Sequence, residues 1–213
     1  MYTKEYYFCE RLSTSEKKVV ITIAREFGTN GHEMGMILSE RLGLPFYDKD
    51  ILSKAAHESG MELEKVKAAD EKVNSRILKP IFGYSVGFGE EEDRLFQAEE
   101  RIIREVAQES CIIIGHLADY ILKDDPDCIK VFIYAPFEER VKMIAKKYQI
   151  SEDEARKVVR KMDQSRSNFY TYYSNGKWEH GKGKDLILNR STISLEDCVE
   201  MIAHLVELKT KEK

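Results

Sequence analysis

A chain of 213 residues, 42% apolar and 34% charged, suits one domain with a full core and a well-solvated surface. Its formal charge of −4 supplies no overall basic field to attract nucleic acid, so any anion site has to be local. No apolar run approaches the ~18 residues of a membrane span, and the first residues lack the long apolar core of a signal peptide. Cys9, Cys111, Cys128 and Cys198 are far apart, with no C-x-x-C pair and no histidine at zinc-ligand spacing. They read as reduced thiols. The expectation is a cytoplasmic protein with no membrane or nucleic-acid partner; composition leaves the oligomeric state open.

After a polar lead-in over residues 1–17, Val19-Val-Ile-Thr-Ile-Ala24 is a continuous β-branched run. It predicts a strand buried on both faces of a parallel sheet. A glycine-rich turn, Arg25-Glu-Phe-Gly-Thr-Asn-Gly-His-Glu33, follows. Met34, Ile37, Leu38 and Leu42 then recur at helical spacing up to Gly43, a C-cap residue. Leu44–Tyr47 restarts an extended segment, completing the opening of a βαβ unit.

Residues 50–79 carry a charged helical pattern. Pro80–Gly89, rich in glycine and aromatics, reads either as a mobile cover over something apolar or as a plain connector. Farther on, the pattern predicts a helix over 91–109, strands at Cys111–Gly115 and Ile129–Ala135, and helices at 137–149 and 151–164. Asp185–Asn189 gives a further strand and Leu195–Leu208 a closing helix. Strands alternating with helices imply an α/β fold, a parallel sheet covered on both faces. Right-handed crossovers then align the loops after the strands along one edge, where ligands bind.

A phosphate needs converging N–H donors and a positive field, and a tight turn opening a helix supplies both. The usual loop reads G-x-x-x-x-G-K-[ST], its lysine reaching the terminal phosphates and its hydroxyl binding Mg²⁺. Here Arg25 stands at the first glycine and Gly28 at an inner position. Asn30 takes the second glycine's place, Gly31 the lysine's and His32 the hydroxyl's. On its own the turn is equally compatible with a structural bend that holds no ligand.

Six segments widen the context. They are Ile23–Gly28, Leu42–Asp50, Ile112–Ile121, Val131–Pro136, Arg160–Arg166 with Tyr170–Tyr173, and Asp185–Asn189. In order and spacing the chain from about Val19 to Ile202 resembles the cytidylate kinase-like family, a divergent branch of the P-loop nucleoside monophosphate kinases. The resemblance implies a three-layer P-loop kinase fold with a five-stranded parallel sheet. It also implies a helical monophosphate-binding subdomain over 49–90 and an arginine-bearing lid over 150–183. ATP, Mg²⁺ and a nucleotide substrate are the ligands it implies. In this branch the turn commonly lacks the lysine, so its absence here is a family trait.

Phosphoryl transfer to a monophosphate asks mainly for alignment and cation density around the moving oxygens. Arg160, Lys161 and Arg166 are the candidate lid cations, with Asp163 placed to orient an arginine; the alternative is an ordinary solvated helix face. Arg25 either reaches over the phosphates in place of the missing lysine or pairs with Glu26 or Glu33. Gly28, Thr29, Asn30, Gly31 and His32 form the expected phosphate cradle. Glu33 either caps the loop by accepting its N–H groups or helps hold Mg²⁺ through water.

On the acceptor side the resemblance points to Asp48, Lys49 and Lys54, and to Gly115-His116 where the family usually has Gly-Arg. His116 replaces a permanent charge by one that depends on pH. Trp178, Tyr170, Tyr172 and Tyr173 either stack on a base or pack the lid. The expected function is transfer of the ATP γ-phosphoryl group to a pyrimidine monophosphate such as CMP. The alternatives are a nucleotide-binding sensor with little or no transfer, and a kinase for another small phosphate or hydroxyl acceptor.

Overall fold

The computed structural model describes residues 17–48, 89–176, 178 and 181–211. The region 49–88, including Lys49, Lys54 and the glycine-aromatic stretch before Gly89, lies outside them, as does the lead-in up to residue 16.

Five strands form one sheet: β1 Val20–Arg25, β2 Phe46–Tyr47, β3 Cys111–Ile114, β4 Cys128–Tyr134 and β5 Leu186–Asn189. Their order is β2-β3-β1-β4-β5, and every pair is parallel. Among the described residues the helices are α1 Gly31–Leu42, α2 Glu90–Val106, α3 Ala118–Ile121, α4 Phe137–Tyr148, α5 Glu152–Ser174 and α6 Leu195–Thr210. This is the doubly covered α/β sheet that the alternating pattern predicts.

Period-two alternation sends the strand residues to two cores. Ile21 and Ile23 join Ile112, Ile114 and Val131 against Met34 and Leu38 of α1 and Val199 and Ile202 of α6. Val20 and Ile113 face the other way, onto Ala98, Ile102 and Ile103 of α2 and Ala118 of α3. A third cluster packs Phe27 of the turn on Val141 and Ile144 of α4 and on Ala155, Val159 and Met162 of α5. The turn therefore rests on two helices and is not a free loop.

Two elements differ from expectation. The helix expected to stop at 164 runs on to Ser174, opened by a capping box between Ser151 and Glu154. Its buried stripe of Ala155, Val158, Val159 and Met162 is continued by Phe169, Tyr170 and Tyr173. The short α3 after β3 carried no periodic signal. Among the described residues, no helix is long and apolar enough to cross a membrane.

Candidate functional site

The register brings the ends of β1, β2 and β3 to one level, with Ile23 opposite Ile114 and Tyr47 opposite Ile113. The turn leaves β1 at that edge. Gly28 has φ +89°, which favours glycine, and a Cβ there would be tight at 3.2 Å from Arg140 Cβ and Ile144 Cγ1. The Thr29 hydroxyl, buried, donates to the Glu26 carbonyl at 2.9 Å. Asn30, left-handed at φ 58°, is the N-cap of α1, but its side chain makes no capping bond. Its amide donates to Glu33 at 3.0 Å. Glu33 thus accepts from a side chain and not from the loop's N–H groups. The start of α1, with its partial positive charge, has no side-chain cap.

Arg140 supports the turn from below. It is 5% exposed, and its Nε donates to the Ala135 carbonyl at 2.9 Å and lies 3.1 Å from Glu26. Its Nη1 donates to the Phe27 carbonyl at 3.0 Å and to Asp163 at 2.5 Å. Glu26 also accepts from the Ala135 N–H, and Asp163 from the Phe27 N–H at 2.9 Å. Arg140, Glu26 and Asp163 are thus paired with one another, as burial demands.

The expected lid group divides. Asp163 and Arg166 face the turn: Nη1 of Arg166 donates to the Arg25 carbonyl at 3.0 Å, and its guanidinium lies over the Phe27 ring. Arg160 instead sits over the Phe137 ring, 5.2 Å from its centre, and both it and Lys161 are exposed. Asp163 is bonded to Arg140 and the turn, so it does not orient Arg160.

Arg25 reaches toward the end of β2, where its Nη2 lies 3.9 Å from Asp48. Its stem runs under Gly31, where a Cβ would stand 2.9 Å from Cγ of Arg25. The guanidinium lies against Gly115, at φ +75°, where a Cβ would collide with Nη1. Two glycines thus make the channel for one arginine. Asp48 also receives His32 Nδ1 at 2.5 Å and stands 3.9 Å from His116 Nε2. His116, at φ 53°, has a side chain only 7% exposed, and its Nδ1 lies 3.4 Å from fully buried Glu99. Arg25, His32, Asp48 and His116 are therefore gathered at one sheet edge; of the expected acceptor residues, Asp48 and His116 stand there and Lys49 and Lys54 lie outside the described residues.

The aromatic group packs. Tyr173 stacks on Phe96 at 3.9 Å and donates to Asp93, while Trp178 meets Phe132 edge-on at 5.9 Å. Burial pushes the Tyr170 hydroxyl up to about 12. Glu26, Arg140 and Glu99 were not among the expected site residues. Arg140 and Glu99 sit in charged segments whose periodicity reads as solvated surface, and Glu26 is hidden within the turn.

A glycine turn opening α1 on a 2-3-1-4-5 parallel sheet, with helices on both faces, is the α/β fold of P-loop kinases. A family model, that of the cytidylate kinase-like family, matches residues 20–192, and the chain belongs to that family. The cytidylate kinase of Methanobrevibacter smithii is 23% identical over 187 residues, 86% of this chain and 96% of its own. A solved structure of an uncharacterized protein from Eubacterium ventriosum ATCC 27560 has a TM-score of 0.68 at 25% identity, covering 90% of this chain and 99% of that one. Shikimate kinase from Bacteroides thetaiotaomicron shares the fold at a TM-score of 0.52 and 15% identity, covering 89% and 98%.

Proposed function

We propose that this chain transfers the γ-phosphoryl group of ATP to a nucleoside monophosphate, with CMP as first candidate. The observation that carries the reading is Arg25, threaded between Gly31 of the phosphate turn and Gly115 of the acceptor edge. It occupies the space beside the position where a lysine would stand, and a guanidinium fork suits two phosphate oxygens.

The residues fit a bound triphosphate. The uncapped start of α1 and the left-handed Gly28 and Asn30 present backbone N–H groups to an anion. Mg²⁺ would come with the nucleotide, chiefly through phosphate and water oxygens, and would neutralise charge on the bridging phosphates. Among the described residues no cluster of three His, Cys, Asp or Glu could hold a metal by itself. The acceptor, largely dianionic given a second pKa near ~6, needs no general base. Its phosphate would lie by Arg25 and His116, with Asp48 holding both cations in place.

Arg25→Ala tests the assignment. An arginine supplied to such a transition state is worth roughly 10³–10⁵ in rate. The expected result is a loss of that order with nucleotide affinity and folding largely kept. Equal losses of turnover and folding would return Arg25 to a structural role. A second reading, a nucleotide-binding sensor, is favoured by Gly31 in the lysine's place and His116 in the arginine's; it predicts nucleotide affinity without turnover.

A further inference from the structure

Glu99, in the middle of α2, has no exposed surface, and neither of its carboxylate oxygens has a hydrogen-bond partner among the described residues. A buried carboxylate left so is costly unless a positive charge compensates it. Among the described residues, the group placed to do so is the His116 imidazole, whose Nδ1 lies 3.4 Å from Oε1, at ion-pair range though outside hydrogen-bond alignment. His116 is held there by three successive left-handed residues, Gly115, His116 and Leu117, at φ 75°, 53° and 53°. Left-handed backbone is unfavourable for a non-glycine residue, so the packing around this segment over-determines it. On its other side the ring faces Asp48, at 3.9 Å from Nε2, and the Arg25 guanidinium lies against the adjacent Gly115.

The charges at this edge then decide what it attracts. Among the described residues, with both His32, on Asp48, and His116 neutral, Arg25, Asp48 and Glu99 leave the edge net negative, which repels a dianionic phosphate. With His116 charged they balance, and an N–H cation faces the acceptor side.

We propose that Glu99 is a positioning residue that holds His116 as an imidazolium, so that the Glu99–His116 pair serves as the acceptor-phosphate cation. The proposal rests on the phosphotransfer reading above, but its first test does not require turnover. Long-range ¹H–¹⁵N correlation on ¹⁵N-histidine-labelled full chain at pH 7 distinguishes an imidazolium from either neutral tautomer. His116 signals are assigned by their loss in His116→Asn. The expected result is an imidazolium in the wild type and a neutral ring in Glu99→Gln. A neutral ring in the wild type, or a ring unchanged by Glu99→Gln, would overturn the proposal whatever the enzyme's activity.

The second test is kinetic. Glu99→Gln is expected to raise the acceptor KM by roughly tenfold to a hundredfold, the range of one charge-assisted hydrogen bond, with the ATP KM unchanged. Adding His116→Arg to Glu99→Gln should restore the acceptor KM, because an arginine keeps its charge without Glu99. Loss in the single variant without recovery in the double would mark Glu99 as structural and reject the positioning role. Absence of turnover in the wild type, with the spectra as expected, would refute the phosphotransfer reading and leave the ion pair standing.

Discussion

Replacing Asp163 by Asn tests whether this carboxylate of α5 serves the chemistry or the shape of the turn. Asn keeps an oxygen for the Phe27 N–H, which Asp163 now holds at 2.9 Å. The other oxygen becomes an NH₂ group facing Nη1 of Arg140, where the present contact is 2.5 Å. One charge-assisted hydrogen bond, worth ~1.5–3 kcal/mol, is replaced by two opposed donors. Arg140, 5% exposed, keeps Glu26 as its anionic partner. The expected loss is about 2–3 kcal/mol, against the ~5–15 kcal/mol of a typical domain. Urea unfolding should record it as a lower midpoint with an unchanged slope. Arg140→Met should cost more, ~3–5 kcal/mol, by stranding two carboxylates. The double variant should fall short of the sum of the two losses. If Asp163→Asn abolished turnover with stability within ~0.5 kcal/mol of wild type, the carboxylate would belong to the chemistry and this account of the turn would be wrong.

Gly31→Lys, which places a lysine where the usual motif has one, should lower turnover, since its Cβ would stand 2.9 Å from Cγ of Arg25; a gain in rate would reject the shared channel. Arg160→Ala should change turnover less than twofold and stability by about 0.5–1 kcal/mol, the scale of an exposed cation–π contact on Phe137; steady-state rates and unfolding midpoints measure both. Burial pushes the Cys111 thiol from 9.0 up to about 12 and the Cys128 thiol up to about 11. Since folding raises both values, their contribution is complete below pH 9.0 and is lost as pH climbs through 11 and 12. On the order of 3–6 kcal/mol is at stake. Unfolding midpoints should fall across that window, and iodoacetamide should leave both thiols unmodified in the folded protein at pH 8. Rapid labelling of either would contradict their burial.

What the sequence reveals here follows from how each element is stabilised. β1, β3 and β4 are buried on both faces, so their continuous Val and Ile runs announce them, and Gly43 at φ 65° closes α1 as a C-cap should. The turn is readable by its place between a strand and a helix. The lower half of α5 is harder, because Ser165, Ser167 and Asn168 weaken the propensity signal there. The stripe through Met162, Phe169, Tyr170 and Tyr173 nevertheless keeps helical spacing.

The support under the site is not readable at all. Arg140 lies in Phe137-Glu-Glu-Arg-Val-Lys, and Glu99 in Gln97-Ala-Glu-Glu-Arg, segments that by composition resemble solvated helix faces. Their burial is decided by tertiary partners, Glu26 and Asp163 for one and His116 for the other. Arg25 shows the same division. Its place at the end of β1 could be read, but its direction depends on glycines 31 and 115, which lie far apart in the chain and meet only across the sheet edge.

The central claim, phosphoryl transfer to a nucleoside monophosphate, is tested most directly by following ATP consumption by the full chain with Mg²⁺. The acceptor panel should include CMP, UMP, AMP and GMP beside hydroxyl acceptors such as shikimate and gluconate, with nucleotide affinity measured in parallel. The account predicts turnover with a monophosphate, CMP foremost, yielding the corresponding diphosphate and ADP. Nucleotide binding without turnover on any monophosphate would contradict it.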